Sequence, residues 1–253
     1  MKTVRSLFQG AWLIVLLLAC WQALSKFRVL DPLFFPPPSV LLGTLGSLIM
    51  SGELGHQILR TLERTMVGFV GGVAAGVVVS VILAVSITLR RATQPLISAL
   101  YSMPHLTLLP MLMLILGMND VSRVLLVALA TALVMVIQTS DAIRGINRDY
   151  VDMAVNYGAG SFTVIRKIYF PACLPQIFTA LRLAFGRALV LTISLELLNS
   201  DDGLGSMIWN AWQTFAIEKL YVSVALAGVL GVMFQGLFQV LEKRLVPWTE
   251  PAR

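Results

Sequence analysis

Long apolar runs alternate with shorter polar segments along this chain. An α-helix that crosses a bilayer needs about 20 consecutive, mostly apolar residues. The runs meet or approach that length, and they lack the clear alternation of apolar and polar positions that a membrane-spanning β-strand shows. We therefore predict six transmembrane helices, at about residues 6–25, 65–89, 95–117, 123–140, 176–199 and 220–241. The predicted fold class is an all-α, polytopic membrane protein in which residues 1–253 form a single transmembrane domain.

The composition favours a membrane protein over a soluble one. Of the 253 residues, 57% are hydrophobic and only 13% are charged, whereas a soluble domain carries about 25% charged residues. No polar block is long enough to form a soluble domain, so the excess apolar surface must face lipid. The formal net charge of +6 fits Lys- and Arg-rich cytoplasmic segments better than a nucleic-acid partner, which we do not expect.

The distribution of basic residues predicts how the helices are oriented. With the N-terminus in the cytoplasm, the cytoplasmic segments carry 11 Lys and Arg residues and the outer segments carry 6. Because Lys and Arg are concentrated in cytoplasmic loops, and because six spans return the chain to its starting side, we predict that both termini are cytoplasmic. Lys2 and Arg5 precede the first apolar run as in a secretory signal, but no A-x-A cleavage site follows. We interpret the run as an uncleaved first span.

The second predicted span contains two successive G-x-x-x-G steps, formed by Gly68, Gly72 and Gly76. Small residues at this spacing allow another helix to approach closely. We expect these glycines to pack against a helix of the same chain.

Three ionisable residues inside the predicted spans are candidates for a solute path. Such groups are costly in a membrane and are often functional there. His105 follows Pro104, which predicts a kink in the third span, and Arg187 and Glu196 lie in the fifth. Arg187 and Glu196 are about 13 Å apart along a helix, so they cannot pair within it. For two of these residues the pattern leaves an alternative open. His105 is then a packing residue, and Glu196 is a structural hydrogen-bonding group at the outer interface.

The polar segment at residues 141–175 is too long and too patterned for a simple turn. Residues 149–155 suit a short helix, and Gly158-Ala159-Gly160 should end it. A second short helix follows, and we expect Pro171 and Pro175 to end that one before the chain re-enters the membrane. A cytoplasmic helix–turn–helix of this kind could dock into a groove of another protein or rest on lipid headgroups.

This loop carries the spaced motif Asp152-Met153-Ala154-x3-Gly158-x9-Ile168-x-Phe170-Pro171. It resembles the E-A-A-x3-G-x9-I-x-L-P signature of the permease subunits of bacterial ABC importers, with Asp152 replacing Glu, Met153 replacing Ala and Phe170 replacing Leu. In that family the loop is the coupling segment, which fits a cleft in a separate ATP-binding subunit. The resemblance implies a coupling loop made of Asp152, Met153, Ala154, Gly158, Ala159, Ile168 and Pro171.

Further short motifs extend the resemblance over roughly residues 30–245. Phe35-Pro36-Pro37-Pro38-Ser39-Val40 looks like the L-P-x-P-x-x-V entry after span one, and Thr61-Leu62-Glu63-Arg64 before Gly68-Phe69 looks like the start of span two. Glu196 followed by Gly203-Leu204-Gly205 looks like the turn after span five. These features are typical of the branch that imports nitrate, sulfonates such as taurine, and related small solutes. The implied architecture is the type I ABC importer permease fold with a cytoplasmic coupling helix.

The resemblance also implies partners. The chain would be a permease subunit in the bacterial inner membrane, where two copies would form a homodimer around the transmembrane pathway for a small solute. Separate ATPase subunits, which bind ATP and Mg²⁺, would dock on the coupling loops. A periplasmic or lipid-anchored solute-binding protein would deliver the solute from outside.

The sequence itself carries no enzyme signature. It has no G-x-x-x-x-G-K-[ST] phosphate loop and no H-E-x-x-H, G-x-S-x-G or C-x-x-C motif. We therefore predict no catalytic residue, metal site or cofactor in this chain. The alternative function is an ATP-independent channel or secondary transporter, which would explain the spans and the kink but not the structured cytoplasmic loop.

Overall fold

The computed structural model describes residues 2–248, apart from the side chains at positions 2–11, 85, 161 and 199. Within these residues the regular secondary structure is entirely helical. The α-helices are α1 Lys2–Lys26, α2 Pro38–Met50, α3 Glu53–Val85, α4 Ile87–Ser102, α5 Leu109–Leu116, α6 Asp120–Arg144, α7 Arg148–Asn156, α8 Ser161–Val164, α9 Phe170–Asn199, α10 Leu204–Gln213 and α11 Ile217–Leu245. A 3₁₀ turn, His105–Leu108, precedes α5, and a π-helical turn, Ile165–Tyr169, joins α8 to α9.

Five of the predicted spans correspond to helices of sufficient length. Helices α3, α6 and α11, and the continuous stretch from Phe162 to Leu198, are each long and apolar enough to cross a membrane. Helix α4 and the residues from His105 to Leu116 also have the length of a span, but they meet at a bend of 95°. Pro104 lies at this break, as its inability to donate a backbone hydrogen bond predicts. The first predicted span falls on α1, and its side chains at 6–11 lie outside the described residues; the apolar part that is described, Trp12–Lys26, is short for a span.

Helix α3 begins at Glu53, well before residue 65, where the hydropathy predicted the second span to start. The polar residues of this extension are paired rather than left in a loop. Arg60 forms an ion pair with Asp202 at 2.8 Å, and Arg64, which is 5% exposed, forms one with Asp120 at 2.9 Å. Because these partners come from distant segments, the helical extension could not be predicted from local hydropathy.

The expectation that Pro171 and Pro175 would end the second loop helix is wrong. Helix α8, the π-helical turn and α9 form one continuous helical stretch, and Pro175 lies inside α9. A proline lacks the N–H that an α-helix needs, and the widened turn directly before Phe170-Pro171 accommodates that loss without ending the helix. The loop is therefore joined directly to the fifth predicted span.

Among the described residues, 61–195 and 229–248 form one compact unit. Its centre is the packing of α3 on α6, where a Cβ atom added to Gly68 would lie 2.7 Å from a Val127 side-chain carbon, and one added to Gly76 would lie 2.5 Å from Met135 Cβ. An added Cβ at Gly72 would likewise overlap Thr131. The prediction that these glycines pack within the chain is therefore confirmed. Four aromatic rings extend this core, those of Phe69, Phe185, Phe234 and Phe238.

Residues 2–60 and 196–228 form a second compact unit. Its buried apolar cluster contains Leu48, Leu54, Met207 and Val222. Polar contacts between distant segments support it, since Thr44 Oγ1 donates to Glu218 at 2.7 Å and Lys219 pairs with Glu53 at 2.6 Å.

Candidate functional site

The helix–turn–helix loop is held in shape by its backbone. Helix α7 begins at an N-cap, because the Asn147 side chain accepts a hydrogen bond from the Asp149 N–H at 2.9 Å. It ends where the Gly158 N–H donates to the Val155 carbonyl and the Ala159 N–H donates to the Ala154 carbonyl. This is the Schellman pattern, which places the residue after the C-cap in the left-handed region. Gly158 has φ +81°, so glycine is required there by backbone conformation, as the predicted helix break implies.

The loop presents large apolar side chains to its surroundings. Tyr157 is 89% exposed, Phe162 is 73% exposed and Tyr150 is 62% exposed. Large apolar side chains exposed close together in the sequence are typical of an interaction surface or a membrane contact. Asp152 is also exposed and adds a negative charge to α7.

A groove of about 520 Å³ lies along this loop and collects four of the seven predicted coupling residues. It is lined by Tyr150, Met153, Ala154, Tyr157, Lys167, Ile168, Pro171, Ala172 and Trp248. Asp152, Gly158 and Ala159 do not line it. Trp248 was missed by the sequence analysis, because its place beside the loop depends on a contact between distant segments that no local pattern marks.

A second cavity, of about 600 Å³, lies in the same unit between the bent helix pair and α9. Tyr101, Pro104, His105 and Arg187 line it, together with Leu106, Ala130, Val134, Gly186, Val190, Leu191, Ser194 and Gln235. The structure thus brings together two of the three candidate path residues, His105 and Arg187. Tyr101 was missed, because its hydrogen-bond partner, Arg187, lies on a helix far along the chain and no local pattern links the two residues.

The guanidinium of Arg187 contacts an uncharged side chain in this cavity. Its Nη1 donates to the Tyr101 hydroxyl at 2.5 Å, and the guanidinium carbon lies 5.3 Å from the centre of the Tyr101 ring. His105 Nε2 is buried, and the described residues offer it no hydrogen-bond partner. No Asp or Glu is among the residues that line the cavity. The cavity therefore carries a positive charge and a buried polar nitrogen that a polar solute could satisfy.

Glu196 does not line this cavity. Its side chain is 0% exposed, and its Oε2 accepts a hydrogen bond from the Gly205 N–H at 3.0 Å. Gly203 has φ +103°, and a Cβ atom at that position would overlap the Glu196 carboxyl group. The Gly203 N–H donates to Gln57 Oε1 at 2.5 Å. This geometry favours the structural alternative for Glu196, in which its carboxylate holds the turn after α9, while a solute-path role stays a prediction.

Comparison with protein families places most of the chain in one of them. The family described as "Binding-protein-dependent transport system inner membrane component" matches residues 72–247. This range contains α6, the whole helix–turn–helix loop, α9 and all of α11.

Curated relatives match nearly the full chain. The putative aliphatic sulfonates transport permease protein of Bacillus subtilis (strain 168) is 28% identical over 95% of this chain and 87% of its own length. The corresponding protein of Escherichia coli (strain K12) is 30% identical over 92% of this chain and 88% of its own. The taurine transport system permease protein of the same strain is 25% identical over 93% of this chain and 87% of its own length.

Solved structures share the fold. A bacterial ABC transporter involved in the import of the acidic polysaccharide alginate has a chain that matches with a TM-score of 0.67. The match covers 96% of this chain and 99% of that one at 14% identity. An amino acid ABC transporter matches with a TM-score of 0.67 over 81% of this chain and 97% of its own, at 18% identity. The predicted type I permease fold is thereby confirmed.

Proposed function

This chain belongs to the binding-protein-dependent transport system inner membrane components, the permease subunits of ABC importers, and we propose that its helix–turn–helix loop is the surface on which the separate ATPase subunit docks. The chain is a transport subunit and not itself the ATPase. It is a multi-pass membrane protein, and in the proposed arrangement both of its termini are cytoplasmic, which places the loop on the ATPase side.

The observation that carries the docking proposal is the groove along the loop. Met153, Ala154, Ile168 and Pro171 line it together, and Met153 is 57% exposed. Burying a large apolar side chain of this kind stabilises a contact by about 1.5–3 kcal/mol. Gly158 fixes the turn beside the groove, and Asp152 supplies a charge that can orient the partner. An interfacial helix on lipid, the other possibility from the sequence, would not need a groove.

The cavity around Arg187 supports a solute path for a small anion. A guanidinium within a membrane span is costly unless its charge is compensated, and the lining residues include no carboxylate. A solute with a negative group would supply that compensation. Sulfonates, the solutes named for two of the relatives, fit this chemistry. We propose that two copies of the chain surround the path and that a soluble binding protein delivers the anion.

Co-purification from native membranes in mild detergent tests the docking proposal. The tagged chain is expected to retain an ATP-binding subunit, and Met153→Asp should lose it, because the substitution replaces an apolar contact of the groove with a charge that docking would remove from water. Met118→Asp is the matched control, since Met118 is 74% exposed and lies outside the loop. Recovery of the unaltered chain alone in several detergents would instead favour the ATP-independent transporter.

A further inference from the structure

A third cavity, of about 220 Å³, lies at the loop-side ends of three helices, α3, α4 and α6. It is separate from the groove and from the Arg187 cavity, with which it shares no lining residue. A water molecule takes up about 30 Å³ of the liquid, so the cavity has room for a phosphate group. Its polar lining consists of Arg90, Gln94, Ser98, Ser140, Asp141 and Arg144.

The positive charge of this cavity is not fully compensated. Arg144 donates to the Asp141 carboxylate and to the Ser140 carbonyl, so the charges of Arg144 and Asp141 cancel. Arg90 is only partly exposed, and within the described part of the chain its guanidinium has no ion-pair or hydrogen-bond partner. The cavity thus presents one free guanidinium, whose planar set of donors matches a phosphate group, next to the neutral donors Gln94 and Ser98.

The lining combines polar and apolar residues. On α6 the polar positions Ser140 and Arg144 lie towards the helix end, and Val136 lies one turn deeper in the span. On α4, Arg90 lies nearest the loop-side end, and Ile97 and Ser98 lie about two turns deeper. A phospholipid matches such a mixed lining, because it has a charged headgroup at the surface and acyl chains that run into the bilayer.

We propose that this cavity binds the phosphate headgroup of an anionic phospholipid, with Arg90 as the principal contact and the apolar residues against the start of an acyl chain. The site lies at the membrane face that carries the helix–turn–helix loop. In the proposed orientation this is the cytoplasmic leaflet. The inference depends on that orientation only for which leaflet supplies the lipid, and it is independent of the solute and of ATPase docking.

Native mass spectrometry of the purified full-length chain tests this proposal, with phosphatidylglycerol and phosphatidylcholine as the probes. Wild-type chain should retain phosphatidylglycerol in preference to phosphatidylcholine. Arg90→Gln should lower phosphatidylglycerol retention about fivefold to tenfold, since one basic residue near an anionic surface contributes about that much, and Arg90→Lys should keep part of it. Arg91→Gln is the matched control, because it removes the same charge from the adjacent residue, which does not line the cavity.

Two results would overturn the proposal. Equal losses in Arg90→Gln and Arg91→Gln would show that only the general surface charge attracts the lipid. The second result concerns the source of the phosphate. If inorganic phosphate raised the thermal midpoint of the wild-type chain in phosphatidylcholine nanodiscs, and phosphatidylglycerol did not, the ligand would be a soluble phosphate. Transport is not a readout in either experiment, so the outcome does not depend on the proposed function.

Discussion

Gly158 is the residue at which the docking proposal can be tested most sharply. Its backbone lies in the left-handed region with φ +81°, and a Cβ atom built there would meet nothing within 4 Å in this chain. A substitution therefore acts on the backbone conformation and on the partner, and not on packing within the permease. We expect Gly158→Val to weaken ATPase docking while leaving the membrane-spanning helices folded.

The expected loss of docking affinity follows from the backbone strain at position 158. A β-branched residue in the left-handed region is an outlier, and holding a residue in such a conformation costs about 1–3 kcal/mol. About 1.4 kcal/mol is a tenfold change in an equilibrium constant. The population of the docking conformation should therefore fall roughly tenfold or more relative to alternative loop conformations. Asn tolerates the left-handed region better than Val does, so Gly158→Asn should retain more of the ATPase subunit.

The assay measures the ATPase subunit recovered per tagged permease in mild detergent, with the thermal midpoint of each variant measured alongside. Gly160→Val is the matched control, because Gly160 lies two residues away, has no positive φ and would also meet nothing within 4 Å. We expect Gly160→Val to bind the ATPase far better than Gly158→Val. If Gly158→Val retained the ATPase and solute uptake at wild-type levels, the loop would not be the docking surface.

Two further substitutions test the solute path and the turn after α9. Arg187→Gln should reduce uptake of a radiolabelled sulfonate by roughly ten- to a hundredfold, because a charged hydrogen bond contributes about 1.5–3 kcal/mol. The control Arg182→Gln removes a charge outside the cavity and should have little effect on uptake. Equal losses of uptake in both variants would refute a specific anion site. Gly203→Ala should destabilise the chain by about 2–4 kcal/mol, because its Cβ would overlap the buried Glu196 carboxyl group and φ is +103°. Gly46→Ala, in an open position of α2, should leave the thermal midpoint unchanged or slightly raised, and a Gly203→Ala midpoint equal to it would show that the turn adapts freely.

The features that the sequence predicted well are those written into neighbouring residues. The spans follow from runs of apolar residues, and the break at Gly158 follows from the local chemistry of helix ends. The helix packing at Gly68 and Gly76 was also predictable, because repeated glycines on one helix face have few other uses in a membrane. The coupling residues follow from the resemblance of the loop to the permease signature, and the structure brings four of them to one groove.

The features that the sequence did not predict depend on contacts between distant segments. Trp248 reaches the loop from the C-terminal end of the chain, and the Arg187 charge meets Tyr101 from a different helix. The early start of α3 depends on Asp120 and Asp202, which pair with its arginines. Such pairings leave no local pattern, because hydropathy and spacing describe which secondary structure a segment can form but not which distant residues it contacts.

The groove and the Arg187 cavity are joined by a single helix. Pro171 lines the groove and Arg187 lines the cavity, and both lie on α9, which is unbroken from Phe170 to Asn199. Their separation of 16 positions corresponds to about 24 Å along the helix axis. Because a packed helix moves as a unit, a displacement of the docking loop would be carried to the guanidinium. An ATPase on the loop would therefore have a direct mechanical route to the solute path, whereas a transporter that works without ATP would have no use for a docking groove at the far end of that helix.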